Sequence, residues 1–234
     1  MDKKTIAILF GGRSSEHEVS RTSATMVINN IDREKYDIVI IGITKDGRWM
    51  LYEGDTALIK DGSWENSGAT VPAVISPDTS VHGILVMRES GVETIRIDAA
   101  YPVMHGKNGE DGTMQGLMEM AGIPCVGCGC ASSAVCMDKA LTNTILEFCG
   151  IPQARFIWFY AADWREDKEK YIDAIEESVG FPCFVKPANA GSSVGISKCK
   201  QRSDVVAAVE LAIENDSKVV VEEGIVGKEV ETAV

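Results

Sequence analysis

The sequence lacks the signals that direct a chain into or across a membrane. None of its apolar runs approaches the ~18 residues that a membrane-spanning helix needs. The start, MDKKTIAILFGG, is charged and leads into a short apolar run, without the small-residue cleavage site of a signal peptide. We therefore expect a cytoplasmic protein with no membrane partner.

Positive charge is also scarce. The chain of 234 residues has 23 Lys and Arg against 35 Asp and Glu, which gives a formal net charge of −12 at pH 7. Because nucleic acids are held mainly by clustered Lys and Arg, this balance argues against a nucleic-acid partner. Any phosphate must instead be held by a local group of side chains. Hydrophobic residues make up 45% of the chain, enough for one large or two small domains with a buried core.

The seven cysteines are an odd number, which suits reduced thiols in the cytoplasm. Cys125, Cys128 and Cys130 form the run CVGCGC, which has the spacing of a metal knuckle. A structural zinc site usually needs four ligands, and no second CxxC or histidine pair is placed to complete it. We interpret the run as small residues in a tight connection between a strand and a helix, and we predict no metal within this chain.

Hydrophobic periodicity predicts an α/β fold for the first half. TIAILF (5–10) has the continuous apolar character of a buried strand, helical spacing follows it, and KYDIVIIGIT (35–44) is a second strand. This order suggests a right-handed βαβ unit in a parallel sheet. Residues 46–91 are more polar and rich in turn residues, and they suggest an irregular insertion with hairpins.

One further strand and a helix complete the predicted first domain. IRIDAAYPVMHG (95–106) is an apolar strand that leads into a turn. The following TMQGLMEMAG predicts a helix with Thr113 as its N-cap and Gly122 at its end. The domain should close near residues 125–127.

The second half mixes helices and strands. Asp138 is placed to cap a helix, and its apolar residues are spaced for burial. These residues are Leu141, Ile145, Leu146 and Cys149. Further predicted elements are a strand near 155–159, a helix around 171–179, the strand FPCFVK, a helix capped by Ser203 and a strand over 218–223. The last residues, GKEVETAV, have the character of a strand interior, so we expect the natural protein to continue beyond Val234.

The loop GGRSSEHEVS (11–20) lies between the first strand and the first helix, where backbone N–H groups face a ligand at the sheet edge. Its spacing fits neither the GxxxxGK[ST] phosphate loop nor the GxGxxG fingerprint of a nicotinamide-dependent dehydrogenase. Ser15 and Glu18 have the spacing of a capping box. Glu16 is not needed for that box, so it is either a first-turn acid that the helix dipole favours or the partner of a ligand ammonium group.

The segment HGKNGEDGTMQG (105–116) carries more charge than a turn requires, and it follows a strand of the predicted sheet. Loops in that position usually line the ligand crevice of α/β folds. A lone histidine such as His105 is more often structural. For Asp111 the simpler interpretation is that it organises the turn.

Two segments of the second half have the character of a nucleotide site. FVKPANAGSSVGIS (184–197) places Lys186 on a strand before a glycine- and serine-rich loop that can cover phosphate oxygens. A polar hairpin with an extended lysine is the alternative. VVVEEGIVGKE (219–229) places Glu222 and Glu223 at a strand end, before a glycine hinge. Such a connecting segment can present backbone groups to a purine edge, with Glu229 in reach of a ribose; the alternative is that the acids are solvated charges.

Taken together, these motifs resemble those of the D-alanine–D-alanine ligases of the ATP-grasp superfamily. The matching stretches are LFGGRSSEHEVS, HGKNGEDGTMQG, MDK at 137–139, FVKPANAGSSVGIS and VEEGIVGKE, in this order. The resemblance implies an α/β fold with three parts. These are a Rossmann-like pre-ATP-grasp domain over 1–127, a central ATP-grasp subdomain over 128–221, and the start of a truncated C-terminal subdomain over 222–234.

The resemblance also implies an activity. ATP phosphorylates one D-alanine, and the acyl phosphate is attacked by a second D-amino acid, expected to be D-alanine, for peptidoglycan synthesis. ATP and Mg²⁺ are the implied cofactors and a homodimer the implied assembly. One alternative is a ligase of the vancomycin-resistance type, which joins D-alanine to D-serine or D-lactate. Another is a catalytically incomplete nucleotide-binding fragment.

The family pattern assigns roles to individual residues. Glu16 matches the carboxylate on the ammonium of the first D-alanine, Ser192 matches its catalytic partner, and His105 lies near the amino-acid pocket. The implied nucleotide contacts are Lys139 and Lys186 on the phosphates, Ser193 in the covering loop, Phe184, Glu222 and Ile225 around adenine, and Glu229 on the ribose.

The sequence departs from the family pattern in two respects. Residues 189–191 are Asn-Ala-Gly, where the family has a charged triplet such as Arg-Glu-Gly, so the loop carries less charge. The implied metal ligands, oxyanion arginine and lid loop would all lie beyond Val234. The resemblance therefore predicts no ligase turnover by these 234 residues alone.

Overall fold

The computed structural model describes residues 3–191 and 193–230, and its backbone forms two compact units, residues 1–134 and 135–234. The first unit contains β1 (Lys4–Gly11), α1 (His17–Asn30), β2 (Tyr36–Ile43), β3 (Trp49–Tyr52), α2 (Ala57–Asp61), β4 (Thr70–Ile75), β5 (Gly83–Arg88), β6 (Gly91–Arg96), β7 (Ala99–Pro102) and α3 (Thr113–Ala121). Helix α4 (Cys130–Met137) includes the boundary. The second unit contains α5 (Lys139–Phe148), β8 (Phe156–Tyr160), α6 (Ala161–Glu166), α7 (Lys168–Ser178), β9 (Cys183–Pro187), β10 (Ser197–Cys199), α8 (Val205–Ile213) and β11 (Lys218–Glu223).

The first unit is built on a seven-stranded sheet of order β6-β5-β4-β3-β2-β1-β7. Strand β1 pairs in parallel with β2 and with β7, so the predicted βαβ unit is confirmed. Its side chains alternate between two cores: Ile8 and Phe10 pack with α1, whereas Ala7 and Leu9 pack with α3 on the other face. Burial on both faces explains why TIAILF is apolar without interruption.

The prediction of an irregular insertion over residues 46–91 is wrong. Strands β3 to β6 continue the sheet as an antiparallel series beside β2. The β4–β5 and β5–β6 pairs are the hairpins that were expected. These strands are only 4 to 6 residues long, so the turn residues in the connections between them dominate the composition of this segment. Trp64, in a short 3₁₀ turn, is fully buried against Phe10, with ring centroids 4.9 Å apart.

Two predicted helix starts are displaced. Gly112, with φ of +89°, is the N-cap of α3, and Thr113 is the first helical residue. The predicted stop at Gly122 is confirmed, with φ of +67°. Asp204 rather than Ser203 occupies the N-cap position of α8, because a 3₁₀ turn over Arg202–Asp204 precedes the helix, and no side chain caps it there.

The second unit is a four-stranded antiparallel sheet of order β10-β9-β11-β8. Its main core lies on one face of the sheet and includes Ile175 of α7, Val209 of α8, and Val185 and Val221 of the strands. The other face carries a small cluster that contains Ala140 of α5. Phe184, Lys186 and Glu222 alternate along the strands with residues of the main core, so they lie on this second face.

Helix α5 begins as predicted but buries a different side. Asp138 caps it by accepting hydrogen bonds from the N–H groups of Ala140 and Leu141, at 3.0 and 3.1 Å. Ala140 is its one buried residue, whereas Leu141 and Ile145 are each 44% exposed, so their predicted burial is wrong. The apolar periodicity was real, but it does not mark the side that packs on the sheet. Among the described residues, no helix combines the length and the apolar character that crossing a bilayer requires.

Candidate functional site

In the first unit, hydrogen bonds connect the loop after β1 to the sheet and to α1. Gly11 and Gly12 have φ of +86° and +98°, and the N–H of Gly12 donates to the carbonyl of Ile43 at 2.8 Å. The hydroxyl of Ser20 accepts from the N–H of Gly11 at 2.8 Å and donates to the carbonyl of Val103 at 2.5 Å. The chain is therefore fixed where it leaves the carboxyl end of β1.

Glu16 lies at the N-cap of α1, and no side chain caps the helix there. The predicted capping box is wrong, because Ser15 is not the N-cap residue and no side chain caps the helix. Ser14 instead accepts from the N–H of Glu16 at 3.1 Å, within the loop. Glu18 instead forms an ion pair with Lys45 at 2.5 Å, and the hydrogen bond from Lys45 lowers the pKa of that carboxyl group. The acid that the capping argument singled out is thus engaged elsewhere on the surface.

The first loop meets the loop after β7 at Gly106. A Cβ atom built on Gly106 would lie 2.5 Å from Oε2 of Glu16 and 2.9 Å from Oγ of Ser14. Gly106 also has φ of +68°, a conformation that favours glycine. The structure therefore brings Glu16 against the second predicted motif, and only glycine leaves room for its carboxylate.

The loop over residues 105–112 is held by its own polar side chains. His105 Nε2 lies 3.0 Å from Oγ of Ser23, and Glu110 accepts from the N–H of Gly106 at 2.6 Å. Asp111 accepts from the N–H groups of Asn108 and Thr113, at 2.8 and 3.0 Å. Burial raises the pKa of Asp111, but these hydrogen bonds outweigh it and leave the pKa below its usual value. The expectation that Asp111 organises the turn is confirmed.

A cavity of about 360 Å³ opens beside these two loops. Its walls are mostly apolar, with Trp49, Met104, Met114 and Leu117 among them, and Arg13 and Asn108 contribute polar groups. It lies at the carboxyl ends of β1 and β2, where α/β sheets usually bind ligands. The first unit thus has a cavity beside the loop that carries Glu16.

In the second unit, Lys186 and Glu222 form an ion pair between neighbouring strands. Their side chains are 22% and 17% exposed. Phe184 lies directly opposite Glu222 in the register of β9 and β11, and Nζ of Lys186 lies 6.0 Å from the centroid of its ring. The strands therefore assemble a cation, a carboxylate and an aromatic ring in one small area.

Lys139, the first residue of α5, joins the same group. Its ammonium donates to the carbonyls of Ala190, at 2.6 Å, and Ala188, at 3.4 Å. Burial, followed by repulsion from Lys186, lowers the pKa of Lys139. Two lysines that are 47 residues apart in the sequence thus lie near each other, and Lys139 contacts the backbone of the glycine-rich segment.

The remaining predicted nucleotide residues are less closely associated with this group. Ser193 has φ of +60° in the turn that follows Gly191, while Ser192 lies outside the described residues. Ile225 is 66% exposed, and Glu229 is also exposed. Within the described part of the chain, no hydrogen bond or ion pair joins the side chain of Glu229 to either lysine. Glu223 pairs with Arg155 at 3.0 Å, which lowers its pKa.

Sequence reasoning missed Asn143 and the pair formed by Asp138 and Lys218. Asn143 donates to Oε1 of Glu222 at 3.0 Å, and Lys218 of β11 forms a buried ion pair with Asp138. Asn143 could have been found from its spacing, because it follows Lys139 by four residues and so lies on the same face of the helix. Lys218 gave no such signal, since it is 80 residues from Asp138.

All seven cysteines are unpaired thiols. Over residues 3–191 and 193–230, no three His, Cys, Asp or Glu side chains are grouped closely enough to hold a metal ion. These residues therefore do not by themselves supply a closed ligand set for Mg²⁺.

Solved structures of ligases share this fold. The VanG D-Ala:D-Ser ligase from Enterococcus faecalis superposes with a TM-score of 0.88 and 44% identity, over 97% of this chain and 64% of that one. The D-alanine–D-alanine ligase from Coxiella burnetii gives a TM-score of 0.84 and 32% identity, over 96% of this chain and 65% of that one. The fold is therefore that of the α/β ligases of the ATP-grasp class.

Family models and curated relatives define the family. The model described as D-ala D-ala ligase N-terminus matches residues 5–128, and the one described as D-ala D-ala ligase C-terminus matches residues 145–234. This chain belongs to the D-alanine–D-alanine ligase family. Curated ligases from Caldicellulosiruptor bescii and Ruminiclostridium cellulolyticum are 45% and 48% identical over all of it. The chain spans 64% of the length of each of these two relatives.

Proposed function

We propose that this chain provides the ATP site and the first D-alanine site of an ATP-dependent ligase that joins D-alanine to a second D-amino acid. The observation that carries the proposal is the convergence of Lys139, Lys186 and Glu222 in one partly buried group. Two nearby ammonium groups repel each other, and a polyphosphate between them removes that cost. The product would serve peptidoglycan synthesis in the cytoplasm, and a homodimer is the proposed assembly.

The proposed chemistry needs charge neutralisation and positioning more than a protein nucleophile. ATP transfers its terminal phosphoryl group to the carboxylate of the first D-alanine, and the amine of the second amino acid displaces phosphate from the acyl phosphate. Lys139 and Lys186 hold the phosphates during this transfer. Mg²⁺, the proposed second cofactor, would neutralise further phosphate charge when held by ligands that the described residues do not supply. Ser193 and the surrounding loop cover the phosphates and exclude water.

The amino-acid end of the site is proposed at Glu16. Its carboxylate lies against Gly106 and pairs with the ammonium group of the first D-alanine. Ser192 is the proposed catalytic partner of Glu16, and His105, held by Ser23, borders the amino-acid pocket. Around the nucleotide, Phe184, Glu222 and Ile225 contact adenine and Glu229 contacts the ribose.

The nucleotide site can be tested by titrating ATP into the purified chain. Lys186→Ala removes a charge-assisted contact of about 1.5–3 kcal/mol, which corresponds to a loss of affinity of about 10- to 100-fold. Lys168→Ala is the control, because Lys168 lies on α7 and pairs with Glu210, away from the group. Equal ATP affinities for the two variants would refute the nucleotide assignment.

The second substrate is proposed to be D-alanine, with D-serine as the alternative that the likeness to the VanG D-Ala:D-Ser ligase favours. D-lactate is a further acceptor to include. Phosphate release by the full-length protein should be measured with each acceptor in turn. A preference for D-serine over D-alanine would identify the protein as a D-alanine–D-serine ligase instead. ATP binding by the 234-residue chain without turnover would identify it as a catalytically incomplete nucleotide-binding piece.

A further inference from the structure

Asn143 contacts a proposed nucleotide residue but has no assigned role. It lies on α5, one helical turn after Lys139, and its Nδ2 donates to Oε1 of Glu222 at 3.0 Å. An ionised carboxylate only accepts hydrogen bonds, so the amide nitrogen is the group of Asn143 that can make this contact. The bond joins α5, which carries Lys139, to β11, which pairs with the strand that carries Lys186.

The second oxygen of Glu222 is held as well. Lys186 donates to Oε2, so the carboxylate is gripped from two sides by donors on two different elements. A carboxylate offers about four lone-pair sites, and these donors use two of them. Two acceptor sites therefore remain, and their direction is fixed for as long as both donors are present.

Asn143 is itself held in place. The start of α5 is anchored by Asp138, which caps the helix and pairs with Lys218 of β11. Nε2 of Gln153 donates to the carbonyl of Asn143 at 2.6 Å. Because these contacts already fix Asn143, its hydrogen bond to Glu222 costs less side-chain entropy than a bond from a residue on an unsupported surface helix.

We propose that Asn143 is a positioning residue that fixes the carboxylate of Glu222, so that its free acceptor sites face the exocyclic amine of adenine. This inference rests on the proposed nucleotide site. A carboxylate held by Lys186 alone would rotate about its side-chain bonds and follow the lysine towards the phosphates. Asn143 thereby separates two tasks, with Glu222 recognising the base and Lys186 contacting the phosphates.

The chemical consequence is discrimination between 6-amino and 6-oxo purines. Adenine presents an N–H donor to the fixed acceptors, whereas hypoxanthine presents a carbonyl oxygen that the carboxylate repels. Wild-type protein should therefore bind ATP more tightly than ITP. Loss of the Asn143 contact should weaken ATP binding more than ITP binding, which a general loss of stability would not do.

The test is isothermal titration of ATP and ITP into wild type, Asn143→Ala and Thr144→Ala. Thr144 is the matched control: it is the next residue, is exposed, and donates only to the carbonyl of Ala140 within its own helix. Asn143→Ala should lower ATP affinity by about tenfold and lower the ATP-to-ITP preference by a similar factor. Thr144→Ala should leave the preference unchanged.

Two further variants keep the test decisive if Asn143→Ala does not fold. Asn143→Gln retains an amide donor and should retain part of the base preference. Asn143→Asp places a second carboxylate against Glu222 and should abolish it. A base preference in Asn143→Asp equal to that of wild type would overturn the role of Asn143.

The outcomes separate this inference from the proposed function. If Lys186→Ala weakens both nucleotides but Asn143→Ala leaves the ATP-to-ITP ratio at its wild-type value, the role of Asn143 is overturned and the nucleotide site stands. A wild-type protein that binds ATP and ITP equally also overturns it. If Lys186→Ala changes neither nucleotide affinity, the proposed function itself fails.

Discussion

Gly106→Ala should weaken binding of the first D-alanine while causing only a small loss of fold stability. The added Cβ would lie 2.5 Å from Oε2 of Glu16, far inside van der Waals contact, in a residue with φ of +68°. Because the clashing atom ends a flexible side chain, we expect Glu16 to move aside. The stability cost should therefore be close to that of left-handed backbone strain alone, about 1–2 kcal/mol.

Gly68→Ala is the matched control for this strain. Gly68 is in the same unit, has φ of +75°, and has no atom within 4 Å of its would-be Cβ. Urea denaturation should give similar losses for the two variants. The affinity of the full-length protein for the first D-alanine should fall by about 10- to 100-fold for Gly106→Ala only, because Glu16 loses a charge-assisted contact of about 1.5–3 kcal/mol.

Kinetics with D-alanine as the varied substrate, at saturating ATP, would measure this effect. If Gly106→Ala and Gly68→Ala have the same KM for the first D-alanine, Glu16 does not bind the ammonium group. If Gly106→Ala is much less stable than Gly68→Ala, Glu16 is held rigidly, and the premise that it moves aside is wrong.

The other predictions concern the second unit. ATP affinity should fall as pH rises through the pKa of Lys139; since burial lowers that pKa, the fall should begin below the usual lysine value of about 10.4. Arginine keeps its charge at these pH values, so Lys139→Arg should show no such fall when ATP is titrated at a series of pH values. The same fall in that variant would contradict the assignment of Lys139 to the ATP phosphates. Asp138→Ala should cost about 3 kcal/mol in urea denaturation, since it removes a helix cap and leaves Lys218 without its buried partner. A loss below about 1 kcal/mol would show that water replaces both interactions. The 234-residue chain should release no phosphate with ATP and D-alanine, and measurable release would refute the expectation of an inactive piece.

Some elements were predictable because their signal is local. The apolar run of β1 and the helical spacing after it predicted the βαβ unit, and the glycine at position 122 marked the end of α3. Asp138 was recognised as a cap because its side chain bonds to N–H groups two and three residues away. In each case the physical cause lies within a few residues of the effect.

Other elements depended on partners that are distant in sequence. Strands β3 to β6 are short, and they become a sheet only by pairing side by side, which periodicity over 4 to 6 residues does not reveal. The burial of α5 was misjudged for the same reason. Its apolar residues were visible, but the side that packs is decided by the strands beneath it.

The sequence by itself determined the α/β class, the family and the residue types that the site requires, because motifs carry their chemistry and spacing along the chain. Only the tertiary structure decided which charges meet. Lys139 and Lys186 became neighbours, Glu222 became the shared partner of Lys186 and Asn143, and Glu16 came to rest against Gly106. Electrostatic and hydrogen-bond energies depend on distances in space, and strand pairing and helix packing set those distances.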